Sequence, residues 1–376
     1  MAHILKNPTK NNKGVILFTH KEIAFFSNGV KTIRYDFVNK ITSKLFPFDV
    51  YKSQYQKDLI KLHEKYFFGQ HFGWYHEDYP TMPMIDFYLA TDSTVSFKDE
   101  ASIFRIPLSS SSFINQSFSE KQYTKVWDIV CVSHNGNNKR LQSFFKSVRK
   151  LFDSGKKYKI LLINNASVNE TKKRHYTEIE EDYNSMFSHE ERQYFSLLRL
   201  NTSLSFLGLP TQCIADFYNL SKVFALFSEK EGEPRAVSEA LLCNLPVVMN
   251  KHIKAGGVGL DNLNPKNSVL FDNYDDAHLA LIEAVENYES FSIDVESLKR
   301  QLREDYTRDT LIEYLTKLYK NNGQEFDKKL DNAIFLANAV NGHLTDVPWA
   351  RGRMLSSDIM TRKQFELFFD IAQSKH

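Results

Sequence analysis

Glu231-Gly-Glu-Pro-Arg-Ala-Val-Ser-Glu239 runs directly into Ala240-Leu-Leu-Cys-Asn-Leu-Pro-Val-Val248. Before it, Phe224, Ala225, Leu226 and Phe227 make a short, continuous apolar run, as expected of a strand buried on both faces of a parallel sheet. Leu245 to Val248 reads as the next strand. Between them Pro234 suits a first helical turn, where its missing N–H costs nothing. Ala236, Val237, Ala240, Leu241 and Cys243 make that helix apolar around most of its circumference. Arg235, Ser238 and Glu239 fall on the remaining face. The segment is therefore strand, turn, helix, strand. Glu231 stands on the turn and Glu239 in the helix, both near the carboxyl end of a strand, where open α/β sheets bind ligands. The amino end of such a helix also attracts anions. The plainer alternative is a solvated Arg235–Glu239 pair, worth only about 0.2–0.5 kcal/mol.

A second segment repeats the arrangement. Asp128-Ile-Val-Cys-Val-Ser133 reads as a strand and Asn135-Gly-Asn-Asn138 as a turn with helix-capping residues. Lys139 to Val148 has helical periodicity. That places Lys139 and Arg140 in a first turn, where the helix dipole opposes cations and a bound anion would offset it.

The two segments together resemble the retaining GT-B glycosyltransferases of the large GT4-like class (glycosyltransferase group 1). The spacing Glu231 to Glu239, with Glu-Ala-Leu and Leu-Pro-Val-Val behind it, is similar to the E-x7-E motif of that class. The resemblance implies that Glu239 holds the ribose of a nucleotide and Glu231 contacts the transferred sugar. Ser133 to Arg140 is similar in length to the family's Gly-Arg-Leu-x-x-x-Lys-Gly pattern. Lys139 stands at its diphosphate-binding Lys, His134 at its Arg, and Arg140 at its second Gly. His is a weaker and pH-dependent cation, so that substitution is the clearest departure. Gly73-Trp-Tyr-His-Glu-Asp-Tyr-Pro80 resembles the family's His-bearing cleft loop and implies that His76 lies near the sugar. The resemblance is close over Trp127 to Tyr319 and faint over Gly14 to Ile114, where Phe18-Thr-His-Lys21 replaces the usual Gly-rich loop.

Composition bounds the rest. A chain of 376 residues has two domains as its natural expectation, and 42% hydrophobic residues suffice for packed cores. A formal net charge of +2 argues against a dedicated nucleic-acid binder. Cys131, Cys213 and Cys243 fall in expected strands or helices, which suggests reduced thiols and a cytoplasmic setting. No Cys/His cluster has zinc-ligand spacing. No apolar run approaches a membrane span or a signal core, so any membrane contact is expected to be peripheral.

The chain divides into an expected N-terminal lobe (1–117), a C-terminal lobe (118–322) and a helical tail (323–376). The first lobe carries strands at Gly14–Phe18, Asp86–Ala90 and Phe104–Pro107, a further element at Ile23–Phe26, a helix over Gln54–Phe67 and a helix-like stretch at Ser93–Lys98. Ser109–Ser117 reads as a linker. Strands at Lys159–Asn164, Tyr194–Leu200 and Val223–Phe227 then alternate with helices around Glu178–Met186 and Thr211–Leu220, the rhythm of a parallel sheet covered on both faces. Asp276–Tyr288 and Val295–Tyr319 read as closing helices, and Phe326–Ala339 and Thr361–Gln373 as helices of the tail.

The expectation is an α/β GT-B protein, two Rossmann-like lobes facing a cleft, the first one short. It would move a sugar from a nucleotide-diphosphate donor to a hydroxyl of a glycan, polysaccharide or lipid-linked saccharide, with retention. The donor residues are Glu239, Lys139, His134 and Arg140, with Gly232, Glu233 and Pro234 at the helix entrance. Glu231 and His76 face the sugar. No cofactor or metal is required, because Lys139 and the helix end supply the positive field and no suitable Asp-x-Asp pair is present. Two rivals stand beside this reading. A dinucleotide oxidoreductase would want a Gly-x-Gly-x-x-Gly turn after its first strand, and none exists. A GT-B-shaped nucleotide or glycan binding module without catalysis would share every feature above. Lys254-Ala-Gly-Gly-Val-Gly259 is a glycine-rich loop without the Gly-Lys-Ser/Thr of a P-loop.

Overall fold

The structure, a computed structural model of the chain, describes residues 3–19, 59–71, 84–91, 104–165, 179–200 and 209–331. The expected elements at Ile23–Phe26, Ser93–Lys98 and Thr361–Gln373 lie outside the described residues. The described residues form two compact units, one reaching to Phe113 and resuming at Thr307, the other spanning Ile114–Tyr306.

The first unit holds β1 (His3–Lys6), β2 (Gly14–Thr19), a helix α1 over 59–65, β3 (Tyr66–His71), β4 (Phe87–Leu89) and β5 (Arg105–Ile106). The sheet order is β1-β2-β3-β4-β5. Only β1 is antiparallel to its neighbour. The helix expected over Gln54–Phe67 stops at residue 65, and Tyr66-Phe-Phe-Gly-Gln-His71 is a wholly buried strand. Its aromatics satisfy either period, and burial on both faces decides for the strand. At Gly69 the ring of Phe87 lies where a side chain would begin, 2.2 Å from an ideal Cβ, so only glycine fits.

The second unit is built from β6 (Trp127–His134), α2 (Leu141–Asp153), β7 (Ile160–Asn165), α3 (Ile179–Met186), β8 (Phe195–Leu200), α4 (Thr211–Asn219), β9 (Ser221–Leu226), α5 (Arg235–Leu242), β10 (Val247–Asn250), the one-turn α6 (Val258–Asp261), β11 (Ser268–Phe271), α7 (Ala277–Glu286) and α8 (Val295–Leu302). Every strand pair is parallel, in the order β11-β10-β9-β6-β7-β8. Counted from β6 as the first strand, that is the doubly wound order 3-2-1-4-5-6. Apolar layers cover both faces. One joins α2 and α7 to the sheet through Phe144, Phe145, Val148 and Leu281. The other joins α4, α5 and α8 through Tyr218, Val237, Leu241 and Leu298.

Four expectations are corrected here. The single helix expected over Val295–Tyr319 is two, α8 and α9 (Glu304–Asn321), broken at Arg303. Arg303 is extended and bridges in parallel to Ile114, whose N–H donates to Leu302 O at 2.8 Å. From Thr307 the helix belongs to the first unit, where Leu311, Leu315 and Leu318 join its core. The second unit therefore ends at Tyr306, ahead of the expected 322. The stretch Ser109–Ser117 is no loose linker: Ser109, Ser111 and Ser112 are buried around a 3-10 turn, with Phe113 and Ile114 in the two cores. The described part of the tail, 326–331, is not helical. Phe326 and Leu330 are buried in the first core, and Lys6 Nζ donates to Asp327 Oδ1 at 2.7 Å and to Lys329 O at 3.2 Å. These contacts tie the segment along β1 and outweigh its helical pattern.

Candidate functional site

β6 and β9 are neighbours, but the chain leaves them in opposite directions, toward β7 and β8 on one side and toward β10 and β11 on the other. A crevice opens where such connections diverge, at the carboxyl ends of the two strands. β6 delivers His134 and the turn through Lys139; β9 delivers Ser228 and the loop through Pro234.

Hydrogen bonds lace these two loops together. Glu229 N donates to Asn138 O at 2.9 Å, and Asn138 Nδ2 donates to Lys230 O at 2.9 Å. Above them Lys139 Nζ donates to Glu231 Oε1 at 2.5 Å, and Ser228 Oγ donates to the same oxygen at 2.5 Å. The side chains of Lys139 and Glu231 are only 14% and 12% exposed, so the pair is largely desolvated. The loop after β10 closes the third side. Glu231 N donates to Lys254 O at 3.0 Å, and Gly256 N to Gly232 O at 3.2 Å. The glycine-rich segment is thus a stitched wall, with α6 packed so closely on α5 that an ideal Cβ on Gly259 would lie 2.3 Å from Ser238 Oγ.

Lys139 does not sit in the first turn of a helix. It ends a 3-10 turn, Asn137–Lys139, and α2 starts at Leu141. Arg140 between them is left-handed, at φ 53° and ψ 35°. A glycine, as in the resembling pattern, enters that region freely, whereas an L side chain does so at about 1–2 kcal/mol. Two contacts hold Arg140 there. Its Nε pairs with Glu229 Oε2 at 3.1 Å, and its guanidinium lies 5.3 Å from the Tyr274 ring centroid. Both Arg140 and Glu229 are close to half exposed, so this outer pair is weaker than the inner one.

His134 stands at the end of β6. Its Nδ1 accepts from Gly136 N at 2.9 Å, which places the ring proton of the neutral form on Nε2. Burial of the ring, and secondly the Lys139 charge, lower its pKa to about 4. The residue nevertheless keeps an exposed surface, so water softens that depression. The hydrogen bond acts in the same direction, because protonating Nδ1 would break the bond from Gly136. His134 is therefore neutral at pH 7, unlike the arginine it replaces in the pattern. A histidine with a lowered folded pKa contributes stability above its unfolded value near 6.5 and loses it as pH falls toward about 4. His134→Gln should accordingly lose less stability than the parent chain between pH 6.5 and 4, and match it above pH 7. Thermal melts across that range measure this.

Glu239 is set apart from the Lys139–Glu231 pair. It lies half-buried on α5, with Tyr218, Cys243 and Arg235 as its electrostatic neighbours. Burial raises its pKa, opposed by Arg235. Among the described residues no group hydrogen-bonds its carboxylate. Pro234 caps α5 from outside the helix, with φ −73° and ψ 84°, and no side chain caps that amino end. Glu233 O accepts from Arg235 N at 2.8 Å. His76 lies outside the described residues.

Ser228, Glu229 and Asn138 hold the two loops and their charged pairs in place, and sequence reading did not assign them to the site. The signal for Ser228 was available: it is the first residue after an apolar strand that ends at a switch point, three residues before Glu231.

No family model and no curated protein sequence matches this chain. Solved structures resemble it in part. S. aureus TarM, in a complex whose partners include UDP, is similar at 15% identity and a TM-score of 0.47, over 68% of this chain and 51% of that one. The pneumococcal O-GlcNAc transferase GtfA, with UDP and GlcNAc, is similar at 14% identity and a TM-score of 0.44, over 69% of this chain and 54% of that one. Sucrose-phosphate synthase from Thermosynechococcus elongatus gives 12% and 0.44, over 58% and 52%. The chain spans about half the length of these proteins, and at such scores the functional reading rests on the side chains of the crevice. No helix among the described residues is long and apolar enough to cross a membrane.

Proposed function

We propose that the chain is a retaining GT-B glycosyltransferase of the GT4-like kind, in which the second unit holds a nucleotide-diphosphate sugar and passes the sugar to a hydroxyl of a glycan, polysaccharide or lipid-linked saccharide. The observation that supports this best is the meeting of Lys139 and Glu231 at the switch point of a doubly wound sheet, with Glu239 in the helix that follows. A desolvated lysine beside a helix amino end suits a leaving diphosphate, whose charge grows as the glycosidic bond breaks. Positioning and charge then carry the chemistry, and no metal is required.

Glu239 fits the ribose role on chemical grounds. A half-buried carboxylate on α5 without hydrogen-bond partners among the described residues has its acceptor capacity free for a ligand, and the two ribose hydroxyls are donors that match it. Glu239→Ala should weaken nucleotide binding by about 1.5–3 kcal/mol, the range for charge-assisted bonds, in a protein that still folds. Equal affinity in calorimetric titration of variant and parent would remove Glu239 from the ribose. Glu231 is assigned to the sugar, with Gly232 and Glu233 presenting the loop to it, Lys139 to the diphosphate, and His134 to the diphosphate as a neutral Nε2–H donor.

A nucleotide panel read by thermal shift tests the donor reading, since a ligand bound to the native state raises its stability by mass action. Release of free nucleoside diphosphate from UDP-, GDP- and ADP-sugars in excess EDTA then tests catalysis without metal. A second reading, a nucleotide-binding module without transfer, draws on the neutral His134. It predicts thermal shifts with no nucleotide release.

A further inference from the structure

Two bases at the mouth of this crevice are each held by an acid from the opposite loop: Lys139 by Glu231, Arg140 by Glu229. With His134 neutral, these two pairs carry no net positive charge of their own toward an incoming diphosphate. The inner pair is the tighter one, desolvated and braced by Ser228 on the same carboxylate oxygen. Taking the donor reading above as its basis, we infer that Glu231 is an internal competitor for the diphosphate: its carboxylate neutralises Lys139 in the empty crevice and is displaced by a phosphate oxygen when the donor binds.

The exchange discriminates donor from product. A displaced Glu231 keeps Ser228 but loses its cation, and a largely buried carboxylate without that partner is unfavourable. The hydroxyls of an attached sugar supply replacement donors. A bare nucleoside diphosphate supplies none, so it must either leave Glu231 poorly paired or share Lys139 with it. The intact donor therefore binds with a compensation that the spent nucleotide lacks, and the same residue that meets the sugar helps to expel the product.

Calorimetric titration of the parent chain, Glu231→Gln and Glu231→Ala with UDP, GDP and ADP tests this, with the matching phosphate-free nucleosides as controls. Removing the competing charge should tighten binding of the nucleoside diphosphate that the parent binds, by about tenfold, the difference between a charge-assisted and a neutral hydrogen bond. Nucleoside affinity should be the same in all three. A parent that binds a nucleoside diphosphate, with both variants binding it equally or more weakly, overturns the exchange and leaves the donor site standing. A parent and variants that bind no nucleoside diphosphate at all overturn the donor reading, and the exchange with it. Glu231→Ala guards against a glutamine that holds Lys139 through its own amide oxygen.

Discussion

Lys139→Met should cost the protein both stability and its grip on the diphosphate. The ammonium is the only cation hydrogen-bonded to Glu231 among the described residues, and both side chains are largely shielded from water. Removing one partner of such a pair strands the other. The expected loss is about 2–3 kcal/mol, at or below the low end for a broken buried pair, because Ser228 still donates to Glu231 and both side chains keep a solvent edge. Urea unfolding reads this as a lowered midpoint at unchanged slope. Adding Glu231→Gln to Lys139→Met should restore much of it, since a neutral amide is no longer a stranded charge. Nucleoside diphosphate affinity should fall about 10–100-fold, the weight of one charge-assisted bond, and the double variant should not recover it. A single variant with parental stability would mean that Lys139 and Glu231 are not paired in solution.

Much of the second unit is legible from residue pattern because its strands are buried on both faces. Val223–Phe227 and Ile160–Ile163 are continuous apolar runs of the kind a covered parallel sheet buries, and β9 and β7 lie on them within a few residues. Lys139 and Glu231 can be placed near each other by the same logic, since both follow such strands. What pattern could not supply is set by tertiary pairing. The run from Val295 to Tyr319 has no Gly or Pro to interrupt it, and its break at Arg303 exists because Ile114 forms a bridge there. Tyr66–His71 fits helix or strand equally until its neighbours bury it. The left-handed Arg140 is invisible in sequence, because nothing in an arginine announces positive φ; Glu229 and Tyr274 hold it there from 89 and 134 residues away in the chain. The described tail segment, 326–331, follows the first core through Phe326 and Leu330, not through helical periodicity.

The largest stability effect should come from Phe144→Ala. Phe144 is wholly buried in the first turn of α2, only five residues beyond Lys139. Its ring meets Phe195 edge-on at 6.0 Å between centroids and Phe227 at 5.2 Å. Phe227 in turn lies 5.0 Å from Phe271 and directly precedes Ser228. One ring thus joins the helix after the Lys139 turn to the strand end that carries the Glu231 loop. Truncation removes the transfer energy of the ring and leaves a cavity between rigid neighbours, which together amount to about 3–5 kcal/mol. The lost aromatic pairs with Phe195 and Phe227, each about 0.5–1.5 kcal/mol beyond area burial, are part of that figure. Phe144→Leu keeps most of the volume and should cost less, about 1–1.5 kcal/mol. The functional consequence separates packing from chemistry. Because the cavity lies beneath both loops, the distance between Lys139 and Glu231 should loosen, and nucleoside diphosphate affinity should drop in the folded fraction of Phe144→Ala while the phosphate-free nucleoside binds as before. Denaturant midpoints give the first quantity, and calorimetry well below the melting temperature gives the second. A Phe144→Ala protein as stable as Phe144→Leu would show that the aromatic layer under the crevice collapses to fill the gap, and that the two loops are positioned by their own hydrogen bonds at Asn138 and Lys230 alone.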